Sequence, residues 1–89
     1  MKNITNDFLK FAHTNFIIDL HEFHNSQEAL EFMEKELYSA YQNRQDFVRV
    51  IHGIGSGIMK NKVIEALQNN PLIKEFSLEE SGGSTIIKL

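Results

Sequence analysis

The chain predicts an α/β fold of the α+β sandwich kind: one domain with a mixed sheet and the element order β-α-β-α-β-β. Two short, apolar, β-branched runs, Phe16 to His21 and Phe47 to His52, are each followed by a longer segment of helical periodicity. A loop with glycine at alternate positions, Gly53, Gly55 and Gly57, links the second run to its helix. Near the C-terminus two further short runs flank the polar stretch E-E-S-G-G-S, the pattern of a hairpin.

Taken in order, residues 1–15 carry Phe8, Leu9, Phe11 and Ala12 among polar residues and predict a short amphipathic turn or arm, in which His13 is a surface residue. The domain proper is expected over 16–89. In F-I-I-D-L-H, alternation puts Ile17, Asp19 and His21 on one face and Phe16, Ile18 and Leu20 on the other. An aspartate inside an apolar strand is costly unless it is paired, and His21 is a partner on the same face. The pair is either a satisfied structural contact or part of a site.

Asn25 followed by Glu28 predicts a capping box that opens a helix running to about Gln42. Leu30, Met33, Leu37 and Tyr41 make its expected core stripe. The polar link Asn43 to Asp46 leads to the second strand. Strand, helix and strand of these lengths form a right-handed βαβ unit with parallel strands, so their C-terminal ends share one edge. That edge gathers Asp19, His21, His52 and the glycine loop, and open α/β sheets bind ligands there. The second helix is expected over Gly57 to Asn69, with Ser56 as its N-cap. Met59, Val63, Ala66 and Leu67 should face the sheet, and Lys60, Lys62 and Glu65 should face water. Asn70-Pro71 ends it, and strands at Ile73 to Leu78 and Thr85 to Leu89 complete the chain.

With 89 residues, 42% hydrophobic and 24% charged, the chain is sized for one modest core and not for two domains. It has no cysteine, which excludes disulfides and thiolate zinc sites and fits a reducing compartment; the expected location is cytoplasmic. The apolar runs are too short to span a bilayer, and the reading is of a soluble protein with no membrane partner. The net charge of −3 does not favour nucleic acid, but its distribution does. Glu22, Glu28, Glu31, Glu34 and Glu36 face only Lys35, whereas Arg44, Arg49, Lys60 and Lys62 collect around the glycine loop against Asp46. The loop amides and the positive end of the following helix suit a phosphate, and His52 adds a proton-exchanging group; the plain alternative is a tight strand-to-helix turn that binds nothing.

The motifs I-D-L-H (Ile18 to His21), I-H-G-I-G-S-G (Ile51 to Gly57) and S-G-G-S-T-I-I-K-L (Ser81 to Leu89), in this order and with these helices between them, resemble the small MutS-related (Smr) domain over Phe16 to Leu89. The resemblance implies a fold similar to the C-terminal domain of bacterial translation initiation factor three. It also implies nucleic-acid binding, endonuclease activity on DNA or RNA, ribosome association in some members, and occurrence as the C-terminal part of MutS-like ATPases. Residue by residue it falls on Asp19 and His21, and on His52, Gly53 and Gly55. The chain departs from the family pattern at Glu22, where glycine is common, at Ile54, where a basic residue is frequent, and at Lys60, where arginine is frequent. Lys60 keeps the charge and loses bidentate geometry.

The expected catalytic residues are therefore Asp19, His21 and His52, and the expected nucleic-acid contacts are Arg49, Gly53, Gly55, Ser56, Gly57, Lys60 and Lys62. RNA carries its own nucleophile, so His21 and His52 flanking one phosphate, with Asp19 orienting His21, would cleave it without metal. DNA nicking would require an activated water and hence Mg²⁺ or Mn²⁺. Two other readings compete: a non-catalytic nucleic-acid or ribosome-binding module, and a metal site built from Asp19, His21 and His24. As an isolated domain the protein is expected to be a monomer.

Overall fold

The computed structural model describes residues 14–89; the expected N-terminal arm, including His13, lies outside them except for Thr14 and Asn15. The elements are β1 (Phe16–Asp19), α1 (Ser26–Gln42), β2 (Phe47–Ile51), α2 (Ile58–Gln68), β3 (Glu75–Leu78) and β4 (Ser84–Lys88). They form one four-stranded sheet in the order β1-β2-β4-β3, with β1 parallel to β2 and β4 antiparallel to both its neighbours. This is the small mixed-sheet α+β architecture that the sequence predicts.

Both crossovers move the chain the same way across the sheet, from β1 to β2 and from β2 past β4 to β3. A right-handed connection each time puts both helices on one face. The register agrees: Phe16 and Ile18 lie beside Val48 and Val50, which pair with Ile87 and Thr85. These residues join Met33, Leu37, Val63, Leu67 and Phe76 in or against the core between the two layers. The face away from the helices carries Ile17, Asp19, Arg49, Ile51 and Ser84.

Several local expectations are corrected. Strand β1 ends at Asp19, and His21 and Glu22 form a turn; Leu20 still donates its amide to the Ile51 carbonyl at 2.7 Å, which holds the turn against β2. Asn25 caps α1 as expected, accepting from the amides of Gln27 and Glu28 at 2.8 and 3.1 Å. The buried face of α1 is Ala29, Met33, Leu37 and Ala40, whereas Tyr41 is exposed. At 100° per residue Tyr41 lies about 80° round the helix from Met33 and Ala40 about 20°, so the smaller side chain takes the core position. Ser56 is not the cap of α2: Gly57 occupies that position with φ +84°, and the Ser56 hydroxyl accepts from the Ile58 amide at 3.4 Å. Of the hairpin strands, β3 is shorter than read, beginning at Glu75, and β4 is shifted by one residue, to Ser84–Lys88.

Candidate nucleic-acid interface

Strand β1 delivers Asp19 to the edge where the parallel strands end, and the turn after it folds His21 back over it. Asp19 Oδ1 accepts from the His21 amide at 3.0 Å and lies 2.5 Å from His21 Nδ1. A carboxylate only accepts, so Nδ1 carries the proton and Nε2 is left as the atom able to take one up. Both side chains are about half exposed. The hydrogen bond from the imidazole holds the Asp19 carboxyl below its ordinary value, and the same contact raises the pKa of His21. The isolated aspartate in an apolar strand is thus explained by a dyad facing solvent. Glu22 Oε1 stands 3.9 Å from His21 Nε2.

The glycine loop leaves β2 in a direction fixed by the terminal hairpin. The Gly83 carbonyl accepts from the amides of both His52 and Gly53, at 3.0 and 2.9 Å. Gly53 has φ +82°, and a Cβ there would sit 3.8 Å from the Cβ of His21, so the loop backbone runs directly beneath the dyad. Beyond it the Asn61 amide makes the first bond of α2, to the Gly57 carbonyl at 2.9 Å, so the positive end of the helix adjoins the loop, where the Ile58 amide donates to the Ser56 hydroxyl. A hollow of about 260 Å³ results, lined by His21, His52, the loop from Gly53 to Gly57, Met59 and Lys60.

The structure distributes the expected site residues unequally. Asp19, His21, Gly53, Gly55, Ser56, Gly57 and Lys60 come together at this edge. His52 also lines the hollow, but only 4% of it is exposed. It continues the parity of Val48 and Val50 and so points to the helix side of the sheet. Its Nδ1 lies 3.0 Å from the Gly53 carbonyl and its Nε2 lies 2.9 Å from the Thr85 hydroxyl. The carbonyl can only accept, so Nδ1 donates and Nε2 accepts from Thr85, the arrangement of a neutral ring. Burial, more than any neighbour, lowers its pKa, and Lys60 adds to the effect. His52 therefore meets the hollow it shares with His21 through a small part of its surface, with both ring nitrogens engaged.

Arg49 is half-buried and paired, Nε lying 2.9 Å and one terminal nitrogen 3.4 Å from the two Glu79 oxygens. Lys60 is half-buried at the rim, not free in water, whereas Lys62 is exposed beside Leu30, Glu65, Ala66 and Asn69. Two residues apart means about 200° round the helix, which separates the two lysines. Among the described residues no three His, Cys, Asp or Glu side chains are grouped to hold a metal ion, so Asp19, His21 and His24 do not form the alternative centre. No helix among them is long and apolar enough to cross a membrane.

Two contributors were missed in the sequence. Thr85, buried and bonded to His52, and Glu79, which clamps Arg49, both come from the hairpin. Their only signal was proximity to the S-G-G-S motif, since contacts more than 25 residues away in the chain leave no local periodicity.

The model of the Smr domain family matches residues 18–89. Among relatives, the chain is 40% identical over 62 residues to Endonuclease MutS2 of Aquifex aeolicus, covering 67% of this chain and 8% of that protein. It is 41% identical over 64 residues to Endonuclease MutS2 of Lachnospira eligens, again 67% and 8%. The chain thus spans less than a tenth of the length of these relatives. The crystal structure of the Smr domain of Thermus thermophilus MutS2 superposes with a TM-score of 0.77 at 26% identity, covering 83% of this chain and 96% of that one. With the three motifs placed on one sheet edge and the family model matched from the first strand to the last residue, the chain belongs to the Smr domain family.

Proposed function

We propose that this domain binds nucleic acid at the sheet edge and cleaves its phosphodiester backbone as an endonuclease, with RNA as the substrate that its side chains suit best. The observation that carries the reading is the solvent-facing Asp19–His21 dyad standing over the glycine loop, with Lys60 at the rim. The loop amides, the positive end of α2 and Lys60 hold the non-bridging oxygens of one phosphate. His21 Nε2 then takes the 2′-hydroxyl proton. The O2′–P bond forms as the P–O5′ bond breaks, and the departing oxygen is protonated from solvent, leaving a 2′,3′-cyclic phosphate and a 5′-hydroxyl. Asp19 fixes the tautomer of His21 and stabilises the imidazolium.

The role of His52 differs from the one its sequence position suggests. With both ring nitrogens engaged and its pKa lowered by burial, it positions the loop from beneath, and the proton transfer falls to His21 alone. The RNA reaction needs no metal, because the 2′-hydroxyl supplies the nucleophile, and DNA nicking with Mg²⁺ or Mn²⁺ is a separate arm of the test. One observation favours a second reading, a non-catalytic nucleic-acid or ribosome-binding module: the Glu22 carboxylate 3.9 Å from His21 Nε2 repels an approaching phosphate.

The deciding experiment incubates purified protein with single-stranded RNA and with supercoiled plasmid, each with chelator, Mg²⁺ or Mn²⁺. RNA cleavage should survive chelation and be abolished by His21→Ala, with binding nearly unchanged. Cleavage by His21→Ala at the unmodified rate, in a preparation free of ribonuclease, would place the binding-module reading first.

A further inference from the structure

On the face away from the helices, beside the dyad, lies a second and larger hollow of about 640 Å³. We propose that it is a nucleobase subsite, which receives one unstacked base next to the phosphate held by the glycine loop; this rests on the reading that the edge binds nucleic acid. His21 lines both hollows, so the two are within the span of a single nucleotide.

The chemistry of the walls selects the occupant. Ile51 and Ile54 form the apolar side, and Ile54 is 68% exposed, a large hydrophobic surface beside a polar site. Gly83 leaves the space beside Ile54 free: a Cβ there would meet Ile54 Cγ1 at 3.4 Å and the Gly53 carbonyl carbon at 3.9 Å. Opposite stands the Arg49–Glu79 pair, with the Ser84 hydroxyl 2.5 Å from Glu79 Oε1, so donors and an acceptor share one rim. The carboxylates of Asp19 and Glu79 exclude a second phosphate, because the single Arg49 charge is already matched. A neutral, flat, hydrogen-bonding ring satisfies size, apolar wall and polar rim together. A base inside a duplex is stacked on both sides and cannot enter, so the domain discriminates in favour of unpaired nucleotides.

The test measures binding, not cleavage, using a short single-stranded RNA carrying one 2-aminopurine, its abasic counterpart and the same sequence as a blunt duplex. The single strand should bind about tenfold more tightly than the duplex, with a change in 2-aminopurine emission. Ile54→Ala removes three exposed carbons that a bound base would cover in part, and should weaken the intact strand by about tenfold and the abasic strand by clearly less. Gly83→Ala, which narrows the slot, should act in the same direction. Equal binding of duplex and single strand, or an Ile54→Ala loss as large for the abasic strand, would overturn the base subsite while nucleic-acid binding stands. If none of the three ligands binds, the nucleic-acid reading fails and the subsite falls with it.

Discussion

Replacing Thr85 by valine removes one hydroxyl and keeps the shape of a fully buried side chain, so it tests whether His52 is held or exchanges protons. In the native domain the Gly53 carbonyl accepts a hydrogen bond from Nδ1 and the Thr85 hydroxyl donates to Nε2 at 2.9 Å. Thr85→Val leaves Nε2 without a donor in a place where His52 is 4% exposed. An unsatisfied buried polar atom costs about 1–3 kcal/mol. In a domain of this size each kcal/mol lowers Tm by roughly 4–8 °C, so a fall of at least ~4 °C is expected. Thermal unfolding followed by circular dichroism well above pH 6.5, where His52 is neutral in both states, gives the number directly. Thr85→Ser retains the hydroxyl and loses one methyl, costing about 0.8 kcal/mol. Cleavage by the valine variant, measured well below its Tm, should keep the pH profile of the native protein. A valine variant that melts with the native domain but shifts that profile would refute the reasoning and return His52 to the chemistry.

Asp19→Asn removes the charge that raises the His21 pKa, so His21 should titrate at lower pH by nuclear magnetic resonance, and the acidic limb of the cleavage profile should move the same way. The two histidines should oppose each other in stability. Below 6.5 the unfolded chain binds more protons at His52, so its contribution is complete above that pH and fades as pH falls through its lowered pKa; that of His21 is complete below 6.5 and fades as pH rises through its raised one. His21→Ala should therefore leave a domain whose stability, followed by urea unfolding, rises with pH more steeply just below 6.5 than in the native protein. Lys60→Ala should reduce the salt dependence of nucleic-acid binding by about one counterion, and Lys62→Ala should leave it unchanged, because the two lysines project from different sides of α2. Equal slopes for the two variants in a salt titration would remove Lys60 from the interface.

Much of this protein follows from local chemistry that the sequence carries by itself. Two β-branched runs, a capped helix opened by Asn25, a glycine loop and a proline stop are short-range signals, and each sits where its own backbone preference puts it. Handedness then follows from chirality, so the parallel pair and its shared edge with Asp19, His21 and the glycine loop were legible without coordinates. The Asp19–His21 pair was legible because its partners are two residues apart. What tertiary structure alone decided is register and long-range pairing. The parallel ladder sets Asp19 beside Ile51, not His52. One residue of register turns a side chain to the opposite face of a sheet, so His52 goes under the edge toward the core while Asp19 and His21 stand above it. Its partner Thr85 is 33 residues away, and Arg49 is matched by Glu79 at a separation of 30. Such pairings depend on where the hairpin returns across β2, a consequence of the whole core packing at once, and no periodicity in the chain encodes them.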